Sequence, residues 1–397
     1  MTEPDVATAE EVNWADLDMP TAPEPVMIGI AGREWQMEKV VRSGLAFALF
    51  AVSILLSLWV LGLISEGILM VDDPDLSKRH GQFREITGFD NVTTDGSGVD
   101  VCIVDTGIDL SHPDLSHLEL AGWSDFVNSR GTPYDDEGHG TAMAGILVAK
   151  NLLPGLAPGI ELHIAKAITK TGSGTDTDIA DAVDWCVNRD VDIISLSLGG
   201  AQGIDFIIIE TDDLEAAVNR ALDAGIFVVA AAGNDGGPDD DGDVASPGSV
   251  EDVICVGAID VDGTIWGNSS VGNNAFNPPE NWNPLGRPDP DKKPELVAPG
   301  QKLAVLNAQI GGTSAKYAWG SGTSGATVWV SAAIAHLLQE RPDLQHDGAA
   351  GGRATVEDVK DWIRDSVQPK EGQTGHDEYY GYGRLRVDAL LATGGQG

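Results

Sequence analysis

Val99-Asp100-Val101-Cys102-Ile103-Val104-Asp105-Thr106-Gly107 is an apolar, β-branched run that halts at a carboxylate and a glycine. A run of this kind reads as a strand buried on both faces. Outward from it the same pattern recurs. Ile160 to Ile168, Val191 to Leu198, Ile226 to Ala232 and Val253 to Ile259 read as further strands. Thr177 to Val187 and Leu214 to Ala224 read as helices, and Ser324 to Glu340 as a long apolar helix stopped by Pro342. Strands alternating with helices predict an α/β fold, a doubly wound, mostly parallel sheet with helices on both faces. In such sheets the active groups collect at the carboxyl ends of the strands, where Asp105 and Asn234 stand.

Four segments carry residues suited to one chemistry. Asp105 follows the first strand, and His139 lies between Gly138 and Gly140 ahead of an Ala-rich helical run. Asn234 sits in Ala231-Ala232-Gly233-Asn234-Asp235-Gly236, and Ser324 in Gly322-Thr323-Ser324-Gly325-Ala326-Thr327. Each has an ordinary structural explanation: a turn aspartate, a structural histidine, a turn asparagine, a capping serine. Together they supply a nucleophile (Ser324), its base (His139), the group that orients the base (Asp105) and an oxyanion donor (Asn234). That set hydrolyses peptide or ester bonds. The surroundings of Ser324 do not form the nucleophile elbow of lipases and esterases.

The ordered motifs resemble the subtilisin-like serine proteases, the subtilases, over about residues 97 to 390. They are Asp105-Thr106-Gly107-Ile108-Asp109, His112-Pro113-Asp114-Leu115, His139-Gly140-Thr141 with Ala144-Gly145, and Ser197-Leu198-Gly199-Gly200. Ala232-Gly233-Asn234, Val297-Ala298-Pro299-Gly300, Gly322-Thr323-Ser324 and Gly381-Tyr382-Gly383-Arg384 complete them. The resemblance implies that Asp105, His139 and Ser324 form the triad, with Asn234 and the Ser324 N–H as oxyanion donors. It implies that Ser197, Leu198, Gly199 and Gly200 pair with an extended substrate, by strand addition. Ala231, Ala232 and Gly233 then wall the primary pocket, with Ala245 near its floor. Three positions depart from the family pattern: Ala142 where a second histidine is common, Gly325 after the serine, and Val328 in place of a proline. No cofactor is implied for the chemistry. Structural calcium is common in the family, and Asp239, Asp240, Asp241 and Asp243 offer it hard oxygens, although a plain acidic loop reads equally well. A catalytically inactive peptide-binding module on the same fold is the alternative expectation.

The rest of the chain sets the context. It has 62 acidic against 24 basic residues and a net charge of −38, which excludes nucleic acid as a partner for the bulk of the surface. Dense carboxylates suit either a well-solvated surface or a salty habitat, where the screening length falls to about 3 Å at molar salt. The three cysteines read as small core residues rather than a disulfide framework. Gly44 to Ile64 is uncharged, with Ser53 and Ser57 its only hydroxyls. It meets the requirement of about 20 apolar residues for one transmembrane helix and exceeds the apolar region of a cleaved signal peptide. Arg33, Lys39 and Arg42 before it favour an N-terminus inside and a catalytic domain outside. The expected organisation is an acidic, disordered tail (1–43), the span (44–64), a linker and lead-in (65–96), the peptidase domain (97–392) and a short end (393–397). The lead-in is too short to hold an inhibitory domain of the kind many secreted relatives carry.

Overall fold

A computed structural model describes residues 74–198, 212–237, 242–275, 285–312 and 315–395. The tail, the apolar span, Gly199, Gly200 and Asp239 to Asp241 lie outside the described residues. Among the described residues no helix is long and apolar enough to cross a membrane.

Seven parallel strands make the sheet. In chain order they are β1 (Asp100–Asp105), β2 (Gly122–Asp125), β3 (Glu161–Lys166), β4 (Ile193–Leu196), β5 (Phe227–Ala231), β6 (Ile254–Ile259) and β7 (Leu296–Pro299). Their order across the sheet is β2-β3-β1-β4-β5-β6-β7. The five central strands are those expected from the apolar runs. They are buried almost throughout, which is why they read as continuous rather than alternating. The edge strands β2 and β7 were not anticipated, because four residues give no periodicity to read. Registers align the functional ends: Asp105 stands opposite Lys166 in the β1–β3 pair.

Helices cover the sheet as expected. We number them α1 (Pro74–Thr87), α2 (His139–Val148), α3 (Asp176–Val187), α4 (Asp212–Asp223), α5 (Thr323–Glu340), α6 (Arg353–Ser366) and α7 (Val387–Gly394). Helix α5 is buried from Thr323 to Leu338 and packs across β4 to β7. A helix apolar on all sides belongs in the core of the domain, and this one carries Ser324 in its first turn. Before it, Leu303–Leu306 and Tyr317–Gly320 (β8 and β9) form an antiparallel ribbon. Helix α1 occupies part of the stretch read as a linker. Leu76, His80, Phe83 and Thr87 repeat at helical spacing and are all buried, but two of the four are polar, so the stripe is faint in the sequence. Phe83 and Phe89 pack their rings on Trp329 of α5.

One expectation fails. Cys102 and Cys186 are not independent core residues: they form a disulfide between β1 and α3, with Cα atoms 6.0 Å apart. Cys255 alone is free, and it is buried. The pairing was hidden because the partners lie 84 residues apart, on elements that only the folded sheet brings face to face. Thiol counting therefore should find one thiol in the unfolded, unreduced chain and three after reduction. Reduction or Cys186→Ser should cost about 2–4 kcal/mol in denaturant unfolding, the usual scale for a cross-link.

Candidate active site

Asp105 ends β1 and is 1% exposed. Its Oδ1 accepts the N–H of Thr106 at 2.7 Å, which fixes the carboxylate plane. His139 is the first residue of α2, and its Nδ1 lies 2.8 Å and 2.9 Å from the two carboxylate oxygens of Asp105. A carboxylate accepts only, so Nδ1 carries the proton and Nε2 is left to take one. The contact needs α2 to start against the end of β1. A Cβ on Gly140 would fall 2.2 Å from the Gly107 carbonyl oxygen, so only glycine permits that approach. The Gly140 N–H bonds Thr106 Oγ1 at 2.8 Å and seals the junction.

Ser324 is the second residue of α5 and is 2% exposed. Its Oγ donates to the Ser197 carbonyl at 3.1 Å, and the Ser197 hydroxyl donates back to the Ser324 carbonyl at 3.2 Å. These bonds tie the carboxyl end of β4 to the helix start. Asn234 is held by its carbonyl: Oδ1 accepts the Thr323 N–H at 2.9 Å and Thr323 Oγ1 at 2.8 Å. Its amide nitrogen lies 3.6 Å from where a Gly322 Cβ would stand. Thr323 was missed as a functional position, although it sits beside Ser324 in the quoted motif and also bonds Gly233.

The wall residues gather as well. Ala231, Ala232, Ser197 and Leu198 are buried, and the Ala245 N–H bonds the Ala232 carbonyl at 2.7 Å. Ala245 lies against Gly233, whose added Cβ would meet the Ala245 methyl at 3.3 Å. Gly325 proves to be a fitted departure: a Cβ there would lie 2.2 Å from Leu303 Cδ1, so Leu303 fills the space behind the serine. Asp243, named above as a possible calcium ligand, is bound by protein donors. Arg287 grips both its oxygens at 2.8 Å, and the Val244 and Asn273 N–H groups take Oδ1 as well. Among the described residues no group of three or more acids, cysteines or histidines is arranged to hold a metal ion.

Lys166 is a second missed residue. It is fully buried, and its Nζ donates to the Thr106 and Ile168 carbonyls and to Asp136. It braces the loop behind Asp105 from the neighbouring strand. The only hint in the sequence is a lysine inside an apolar strand run.

The profile of the subtilase family matches residues 96–383, a span that holds Asp105, His139, Asn234 and Ser324. The chain belongs to the subtilase family. It is 37% identical to the "Serine protease AprX" of Bacillus subtilis (strain 168) over 283 residues, 64% of this chain and 60% of that protein. It is 31% identical to "Subtilisin NAT" of Bacillus subtilis subsp. natto over 298 residues, 74% of this chain and 66% of that one. It is 34% identical to the "Thermophilic serine proteinase" of Bacillus sp. (strain AK1) over 300 residues, 74% and 62% of the two chains. The match thus spans less than two thirds of the length of these three relatives.

The electrostatics of this subtilase centre on His139, whose ring remains 18% exposed. Burial works against its proton. The charge and hydrogen bond of Asp105, then the charges of Glu137 and Asp135, outweigh burial and raise the imidazole from 6.5 to about 9. A raised folded value means stability that is fully present below 6.5 and is lost as pH climbs through about 9. In Asp105→Asn the largest part of that component should disappear. The stability difference between the two proteins, read by urea unfolding, should therefore shrink steadily from below 6.5 to above about 9.

Proposed function

We propose that this subtilase is a serine endopeptidase that cuts extended or unfolded protein through an acyl-enzyme. The observation that carries the reading is the grip of Asp105 on His139 Nδ1, which leaves Nε2 to act as a base. In the reaction Ser324 Oγ exchanges its bond to Ser197 for attack on the scissile carbonyl. His139 Nε2 takes the hydroxyl proton, and Asp105 steadies the imidazolium. The Ser324 N–H and the Asn234 amide stabilise the oxyanion. Collapse expels the amine, which takes the proton from His139, and water repeats the sequence to free the acid. Ser197 to Gly200 hold the peptide backbone, and Ala231, Ala232, Gly233 and Ala245 leave room for a large side chain. None of these steps requires a cofactor. Structural calcium at Asp239, Asp241 and Asp243 is proposed from the family habit alone.

The same reading anchors the enzyme in a cell membrane through Gly44 to Ile64, with the N-terminus inside and the catalytic part outside. Support comes from Arg33, Lys39 and Arg42 ahead of the span and from the Cys102–Cys186 disulfide, which suits an oxidising exterior. A net charge of −38 supports work in high salt.

Full-length protein in native membranes should cleave casein, best at high salt, and Ser324→Ala should lose several orders of magnitude of that activity. The activity should sediment with membranes and be destroyed when intact cells are treated with external protease. A folded protein that binds casein without cutting it would instead point to a peptide-binding module, and activity protected in intact cells would reverse the orientation.

A further inference from the structure

Three acids, Asp135-Asp136-Glu137, run directly into Gly138-His139, and each is used differently. Asp136 is matched by Lys166 Nζ at 2.8 Å. Asp135 builds the turn. Its Oδ1 accepts the N–H groups of Glu137 and Gly138 at 3.1 and 2.8 Å, and its Oδ2 accepts the N–H and hydroxyl of Thr141 at 3.0 and 2.6 Å. Glu137 turns back on the residue two ahead, and its Oε2 accepts the backbone N–H of His139 at 2.7 Å. Gly138, the residue before α2, has no side chain to satisfy the free N–H groups of the first turn. Asp135, Glu137 and Thr106 do this from outside the helix.

We propose that Glu137 is a positioning residue for His139: its carboxylate clamps the backbone under the ring and, as a negative charge beside the imidazole, sets how alkaline the medium must be before the base is free. The inference rests on the reading of His139 as the general base. Among the described residues, the charged groups felt most at the imidazole are Asp105 from β1, and Glu137 and Asp135 from the turn before α2. Each favours the protonated ring. Asp105 is part of the proposed machinery, and Asp135 cannot be removed without dismantling the turn. Glu137 makes one bond that an amide oxygen can replace, so its charge can be removed while its shape stays. Burial raises the Glu137 carboxyl above its usual range, and the bond from the His139 N–H holds it back. The carboxylate is thus desolvated enough for its charge to be felt at the ring.

The test compares full-length wild type with Glu137→Gln, Glu137→Asp and the control Glu357→Gln, an exposed helical position. Two readouts are taken on each: the acid limb of kcat/KM on a chromogenic peptide, and the NMR titration of the His139 imidazole. In Glu137→Gln both midpoints should move to lower pH by about half a unit or more, because an opposite charge has been removed from beside the cation. Glu137→Asp keeps the charge and should stay near wild type, as should Glu357→Gln. Unmoved midpoints in folded Glu137→Gln, or an equal shift in Glu357→Gln, would overturn the proposal and leave Glu137 as a helix cap. Absence of Ser324-dependent turnover in wild type would instead overturn the reading of the site, while the NMR titration would still decide the role of Glu137.

Discussion

Asp105 can hold His139 only because the end of β1 and the start of α2 touch backbone to backbone. The Gly107 carbonyl and Gly140 leave no room for a side chain between them, and Thr106 bonds across the gap. Everything at the site is measured from that junction. It sets the imidazole on the buried carboxylate, and it places the acid-rich turn of Asp135 to Glu137 beside the same ring. Lys166 supports it from β3, so a cation taken wholly out of water is held by two carbonyls and a carboxylate.

The opposite side of the site depends on a helix rather than a strand. Helix α5 crosses the core with almost no exposed surface, and such a helix cannot shift without repacking the strands it covers. Ser324 therefore has a fixed origin. Thr323 passes that origin on to Asn234 through two hydrogen bonds, and Ser197 links it to the end of β4. The serine, the amide and the strand that would take a substrate are in this way one bonded unit. A second buried ionic group lies further along the sheet, where Lys293 and Lys360 share Glu295, and Lys360 also pairs with Asp291. Among the described residues of this acidic chain, the buried lysines Lys166, Lys293 and Lys360 each have a carboxylate partner.

How much of this was legible follows from where the signal lay. The five central strands could be read because burial on both faces makes a strand uniformly apolar, and the ends of β1 and β5 located Asp105 and Asn234. The short edge strands, and the α1 stripe with His80 and Thr87 in it, carry too few apolar residues to show a period. Pairings across the fold were out of reach. Cys102 with Cys186, Lys166 with Asp136 and Arg287 with Asp243 join residues whose meeting depends on strand order, which one sequence does not display. Gly325 shows the reverse case. It departs from the family pattern in the sequence, yet in the fold Leu303 occupies the space that a side chain there would need.

The central claim is that Ser324 is a nucleophile made reactive by His139 on Asp105. A fluorophosphonate reacts only with an activated serine, so the direct measurement is covalent labelling of the folded protein, with the modified peptide located by mass spectrometry. The account predicts one adduct, on Ser324, that is abolished in His139→Ala and strongly slowed in Asp105→Asn. Labelling that is absent from folded wild type, or that is unchanged in His139→Ala, would contradict it.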